Sequence, residues 1–217
     1  MFFDFHTHQL KPMALVNVDV LQAPPEEFLC SIGVHPWWIQ RYESALLLNW
    51  VEQHVSCQQI IAIGECGLDK AITTPLELQV TLFKQHVQWA KTYQKPLVLH
   101  CVRAHQECLN IIKTYHLSQA VIFHGFRGSL PLAKQITDAG HYLGIGPFDA
   151  HANWAKLIQH IPVDQMVAET DDTKMAISDH YQHLAELKEI SITDLISAMK
   201  RNAIAIFGDQ ILNSYGS

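Results

Sequence analysis

Apolar and β-branched residues recur along the 217-residue chain in short runs, separated by longer stretches in which they return every three to four positions. The short runs predict strands over 2–6, 14–20, 28–34, 60–65, 97–101, 120–124, 141–145 and 165–169. The longer stretches predict helices over about 42–55, 75–93, 103–116, 129–139, 151–160, 180–188 and 192–206. In the clearest of these, Thr74 is read as the N-cap, Pro75 as the first helical residue and Glu77 as the partner in a capping box. Gly140 and Gly208 follow helix ends, where a left-handed residue is useful. Alternation of strand and helix implies a parallel sheet covered by helices. Eight strands make a closed (β/α)₈ barrel the leading arrangement, with an open doubly wound sheet as the other. Such barrels usually need about 250 residues, so this one is compact. Only Gln22 to Glu27 separate the second strand from the third, and the early crossovers are therefore loops. No repeat, low-complexity tract or linker interrupts the pattern, which predicts a single domain over 1–217.

Composition narrows the class. Hydrophobic residues make up 48% and charged residues 17%, which is globular and not disordered. No apolar run reaches the roughly 20 residues of a membrane span, and no secretory signal precedes the first strand. The expectation is a cytoplasmic protein with no membrane association and no stable protein partner. A formal net charge of −6 argues against a broad electrostatic nucleic-acid footprint. A narrow cleft whose bound cations attract phosphate remains compatible with it. The five cysteines are odd in number and form no C-x-x-C, so reduced thiols are expected. Cys66 and Cys101 are read as packing residues. Histidine is abundant, with 14 copies against 15 lysines and arginines. Most need no special role: His180 and His183 suit a solvated helix face, and His54, His86, His116 and His160 suit surfaces.

The informative histidines end apolar runs. His6 and His8 sit two apart in an extended stretch, and residues i and i+2 of a strand share a face. Asp4 precedes them. The fourth predicted strand ends in Glu65, the fifth in His100, the sixth in His124 and the eighth in Glu169-Thr170-Asp171. Singly, His100 could be a core histidine, Glu65 a loop cap and Asp171 a helix N-cap. Together they are harder to explain so, because polar groups at the ends of apolar strands are costly to bury unless paired or metal-bound. At the C-terminal mouth of a barrel, four imidazoles and two carboxylates suit two divalent ions. Nitrogen and oxygen donors without thiolate fit Zn²⁺, Mn²⁺ or Mg²⁺.

These stretches also carry a family resemblance. Asp4-Phe5-His6-Thr7-His8, Ile32-Gly33-Val34-His35-Pro36, Gly64-Glu65-Cys66-Gly67-Leu68-Asp69, Leu99-His100-Cys101-Val102-Arg103, Ala168-Glu169-Thr170-Asp171 and Asn202-Ala203-Ile204 resemble, in order, the motifs of TatD-type metal-dependent deoxyribonucleases. The resemblance covers essentially the whole chain. It implies a TIM barrel of the amidohydrolase superfamily that hydrolyses DNA phosphodiesters, typically from the ends of single strands lying in a narrow cleft. It implies that His6, His8 and Asp171 hold one metal, that His100 and His124 hold a second, and that Glu65 bridges them. Asp171 is then also the candidate general base, with Glu65 beside it in the catalytic set. His35, Arg103 and Arg127 would bind substrate, and Trp37 or Phe126 could stack on a base. Two departures stand out. Gly125 occupies a position where the family usually has cysteine, and no proline follows Asp171. Two other readings stay open: a barrel acting on a small amide or phosphomonoester, and a metal-binding scaffold without turnover.

Overall fold

The structure, a computed structural model, describes residues 2–147 and 152–211. Eight strands form one sheet in sequence order: β1 (Asp4–Thr7), β2 (Ala14–Asn17), β3 (Leu29–Ile32), β4 (Ile60–Asp69), β5 (Leu97–Val102), β6 (Val121–Phe123), β7 (Tyr142–Ile145) and β8 (Met166–Ala168). Every neighbouring pair is parallel. A parallel bridge between Thr7 and Asp171 joins the two edges. This is the (β/α)₈ barrel that the strand and helix alternation predicts. The bridge is built on backbone: the Asp171 amide donates to His6 O at 3.0 Å, and the His8 amide donates to Asp171 O at 3.2 Å. Closure of the barrel therefore sets His6 of the first strand and His8 just beyond it against the residue that follows the last strand.

The early crossovers carry no helix, as their length requires. Helix α1 (Ser44–His54) precedes β4; α2 (Leu76–Tyr93), α3 (His105–Thr114), α4 (Leu130–Asp138) and α5 (Ala152–His160) follow β4 to β7; α6 (Ile177–Lys188) and α7 (Ile192–Phe207) follow β8. At the N-terminal end of the barrel, Phe3, Phe5 and Phe207 pack together, and the Tyr181 hydroxyl donates to Phe3 O at 2.8 Å. Asn202, in the last of the recognised motifs, donates through its amide to Val163 O and Met166 O and anchors α7 beneath β8.

Four expectations are corrected. β2 stops at Asn17, and residues 18–20 leave the sheet to line the barrel mouth. β4 does not stop at Glu65 but runs ten buried residues to Asp69. Its glycines serve close approach to β5 and do not end the strand. Thr74 is not the cap of α2: Pro75 holds that position with no side-chain cap bond, and the Thr74 carbonyl accepts instead from Gln79 Nε2. His86 and His180 are fully buried. His180 Nε2 lies 2.7 Å from Ile145 O.

His86 explains its own burial. Nδ1 donates to Leu82 O at 2.8 Å, while Nε2 accepts the Val34 amide at 2.9 Å, so α2 is tied to the turn after β3. Both nitrogens are satisfied only in the neutral ring. Burial accordingly lowers the His86 pKa from 6.5 to about 4. Below 6.5 the unfolded chain takes up a proton that the folded chain refuses. Stability from this group is therefore complete above 6.5 and declines as pH falls towards 4, by roughly 3 kcal/mol in all. Denaturant titrations at pH 7.5 and 4.5 should show a smaller acid loss in His86→Gln, whose side-chain amide can serve both bonds. An identical loss in variant and wild type would refute this.

Candidate metal centre

Side chains from the ends of five of the eight strands, β1, β4, β5, β6 and β8, meet at the C-terminal mouth. His6 and Glu65 are buried; His8 and Asp171 are each about one-third exposed and face the opening. Glu65 lies at the centre. Its Oε2 faces the first strand, 3.5 Å from His6 Nε2 and 3.7 Å from His8 Nε2. Its Oε1 faces the other side, 2.9 Å from His100 Nδ1 and 2.7 Å from His124 Nε2. Asp171 Oδ1 completes the first group at 3.7 Å from His6 Nε2 and 3.5 Å from His8 Nε2. The six residues read as ligands are thus brought together, and the two oxygens of one carboxylate divide them into two sets.

The local backbone aims these groups. The Glu65 amide donates to Asn17 Oδ1 at 2.8 Å, fixing β4 against β2. Gly67 allows β5 to approach: a Cβ there would lie 2.1 Å from His100 O. Asp171 sits in the left-handed region with φ 53°, which turns its carboxylate inward from the strand end. Asp4, buried below, takes no part in the cluster. It pairs with Lys11 Nζ at 2.7 Å and accepts the Thr170 amide at 3.0 Å.

The electrostatics suit a cation. Burial alone would raise the Glu65 carboxyl, but the His124 charge and hydrogen bonds from His100, His124 and His35 hold it well below its usual range. For Asp171, burial is likewise outweighed, by the His8 hydrogen bond and then the His124 and His6 charges, and its pKa falls to about 2. Burial pushes His124 down, yet the charges of Glu65 and Glu169 carry it well above 6.5. His6 fits the role of a metal ligand most clearly: it is fully buried and neither ring nitrogen has a hydrogen-bond partner. An orphaned buried imidazole costs about 1–3 kcal/mol unless something binds its lone pair. Among the described residues, three groups could hold an ion, with donor atoms within 4.8 Å: His6, His124 and Asp171; His6, His8 and Glu65; and His35, Glu65 and His100.

His35 lines the mouth and also reaches the centre. Its Nδ1 accepts the Trp37 amide at 3.1 Å, so the proton resides on Nε2, 3.2 Å from Glu65 Oε1. Arg103 and Arg127 line a cavity of about 720 Å³ beside the centre, together with Gly125 and Gly128. Phe126 is core, at 2% exposure, and cannot stack on a ligand; Trp37, at 52%, lies open at the mouth. Cys66 is buried, whereas Cys101 is half-buried, 3.6 Å from Cys108 Sγ, and also lines the large cavity.

Two residues quoted in the sequence motifs carry no assigned role there. Asp69 Oδ2 lies 3.2 Å from His100 Nε2 and accepts from Trp37 Nε1 at 3.0 Å. Its backbone is locked to Gln79 of α2. Glu169, fully buried, has Oε1 3.6 Å from His124 Nδ1 and accepts the Gly125 amide. Asp69 and Glu169 thus stand behind His100 and His124, on the ring edges remote from Glu65. The spacing Glu65, Gly67, Asp69 on one strand face was the available signal for Asp69. Carboxylates behind ligating histidines fix tautomer and orientation. Asp69→Asn should therefore weaken Mn²⁺ binding by about 10–100-fold, read by calorimetric titration. Unchanged affinity would remove Asp69 from the site.

A parallel barrel that gathers histidines and carboxylates at its C-terminal mouth defines the class: an α/β-barrel protein with residue groups able to hold a metal ion. Comparison with known proteins makes this more specific. Residues 7–208 match the family described as TatD related DNase, and the chain belongs to that family. A Haemophilus influenzae protein described as an uncharacterized metal-dependent hydrolase is 30% identical over 164 residues, covering 70% of this chain and 62% of that protein. A human protein described as a 3′-5′ RNA nuclease is 29% identical over 65% of this chain but only 19% of its own length. The crystal structure of the Escherichia coli TatD homologue YjjV superposes with a TM-score of 0.76 at 22% identity, covering 89% of this chain and 85% of that one, which supports the barrel fold. Among the described residues, no helix is long and apolar enough to cross a membrane.

Proposed function

We propose that this chain hydrolyses phosphodiester bonds of single-stranded DNA from an end, with two divalent cations held by His6, His8 and Asp171 on one side and His100 and His124 on the other, bridged by Glu65. The observation that carries the reading is the division of Glu65: Oε2 faces His6 and His8, and Oε1 faces His100 and His124 with His35 beside them. Cations bound there would polarise the phosphate and acidify the attacking water. The chain's own groups do the rest. Asp171 Oδ1 points to His6 and His8, which leaves Oδ2 to accept the proton from water as its oxygen bonds to phosphorus and the bond to the leaving oxygen breaks. Arg103 and Arg127, in the large cavity, grip phosphate oxygens. His35, neutral through its bond from Trp37, donates to Glu65 and steadies the bridge.

End-labelled single-stranded DNA, incubated with Mg²⁺, Mn²⁺ or Zn²⁺ and with a chelator, tests this. Release of nucleotides that needs the metal supports the reading. Intact DNA alongside hydrolysis of amides or phosphomonoesters replaces the phosphodiester with a small-molecule substrate. Matched RNA oligonucleotides decide the sugar. If no substrate turns over and His100→Ala folds and behaves as wild type, the chain is a scaffold.

A further inference from the structure

The metal centre opens into two cavities of unlike size and charge. The larger, about 720 Å³, is lined by Arg103, Arg127 and His105. The smaller, about 180 Å³, is walled by the loop after β2 and the turn after β3, with Asn17, Asp19, Val20 and Trp38. Trp37, His100, His124, Asp171 and Asp172 line both, so the two cavities share one centre. No lysine or arginine among the described residues lines the small one. Its charges outside the metal cluster are Asp19 and Asp172, both exposed. Arg41 lies nearby, 4.9 Å from the Trp38 ring centroid, but does not line it.

Size and charge sort the parts of a nucleic-acid strand. Ligand pockets usually span about 300–1,000 Å³, so the small cavity admits one terminal group and not a continuing chain. Asp172 lines both cavities, so the difference in charge rests on Asp19, which lines the small one alone and repels phosphate, and on Arg103 and Arg127, which line the large one alone and attract the polyanionic strand. Between them the Trp37 ring is held by Asp69 and offers a fixed face for a base. Building on the phosphodiesterase reading, we propose that the small cavity is an end pocket for an uncharged terminal nucleoside, and that Asp19 excludes strands whose end carries a phosphate. The short crossover after β2 brings Asp19 to the mouth.

The test uses one single-stranded oligonucleotide, internally labelled, with hydroxyl or phosphate at the 5′ or 3′ end, and the Mn²⁺-loaded wild type, Asp19→Asn and Asp19→Lys. A phosphate on the attacked end should slow release by about tenfold in wild type. Asp19→Asn should narrow this ratio of hydroxyl-ended to phosphate-ended release to about threefold or less, and Asp19→Lys should erase or invert it. Equal wild-type rates for both ends, or a preference untouched by either Asp19 variant, would overturn the end pocket while leaving the phosphodiesterase intact. No cleavage of any oligonucleotide would overturn the phosphodiesterase reading and this inference with it.

Discussion

Asp171→Asn should lower the rate of hydrolysis by about 10³-fold or more while leaving the metal-free fold in place. Two losses combine. General bases typically contribute about 10²–10⁴-fold, and the amide cannot accept the proton of the attacking water. The variant also withdraws a negative charge from the His6 and His8 side of the centre, where Asp171 Oδ1 lies 3.7 and 3.5 Å from the two rings. The fold survives because Asp171 ties β8 to β1 through its main chain, donating to His6 O and accepting from the His8 amide. Its φ of 53° is also a conformation that asparagine adopts readily. Single-turnover rates and metal-free melting midpoints together separate the effects. A variant that keeps the wild-type rate would remove Asp171 from the chemistry.

Gly67→Ala should cost on the order of 4 kcal/mol or more, or prevent folding altogether. At φ 142° an L-residue is strained, and the new Cβ would sit 2.1 Å from the carbonyl oxygen of His100 and 2.7 Å from Leu99 Cδ1. Both neighbours belong to β5, which is hydrogen-bonded between β4 and β6, and the backbone oxygen cannot swing aside. If protein is recovered, the melting midpoint should fall by about 10 °C or more. Mn²⁺ affinity should fall too, because the displaced atom belongs to a residue of the centre. A midpoint within about 2 °C of wild type would show that β4 and β5 can separate here at little cost.

Much of this architecture is legible in the sequence because barrel strands announce themselves twice. They appear as buried apolar runs, and again through polar residues at their ends, which is how His6, His8, Glu65, His100, His124 and Asp171 stand out. What the pattern hides depends on contacts between elements. Gly64 and Gly67 look like the end of β4 when β5 is not in view; only the approach of the Val98 and His100 carbonyls shows why the strand continues. Asp69 lies beyond the predicted end of β4 for the same reason. The neutral, fully bonded environment of His86 exists only once α2 packs against the turn after β3, so helical spacing places it no better than a surface histidine. His35 was legible as a residue of the mouth, but its tautomer, and hence its bond to Glu65, depends on the backbone turn at Trp37.

The central claim is that Glu65 joins two cation sites. Equilibrium dialysis of Mn²⁺ against metal-free protein measures it most directly, with wild type and Glu65→Gln side by side. The expected result is two ions per wild-type chain, with both sites weakened together in the variant. Saturation at one ion, or a variant that still binds two with wild-type affinity, would contradict it.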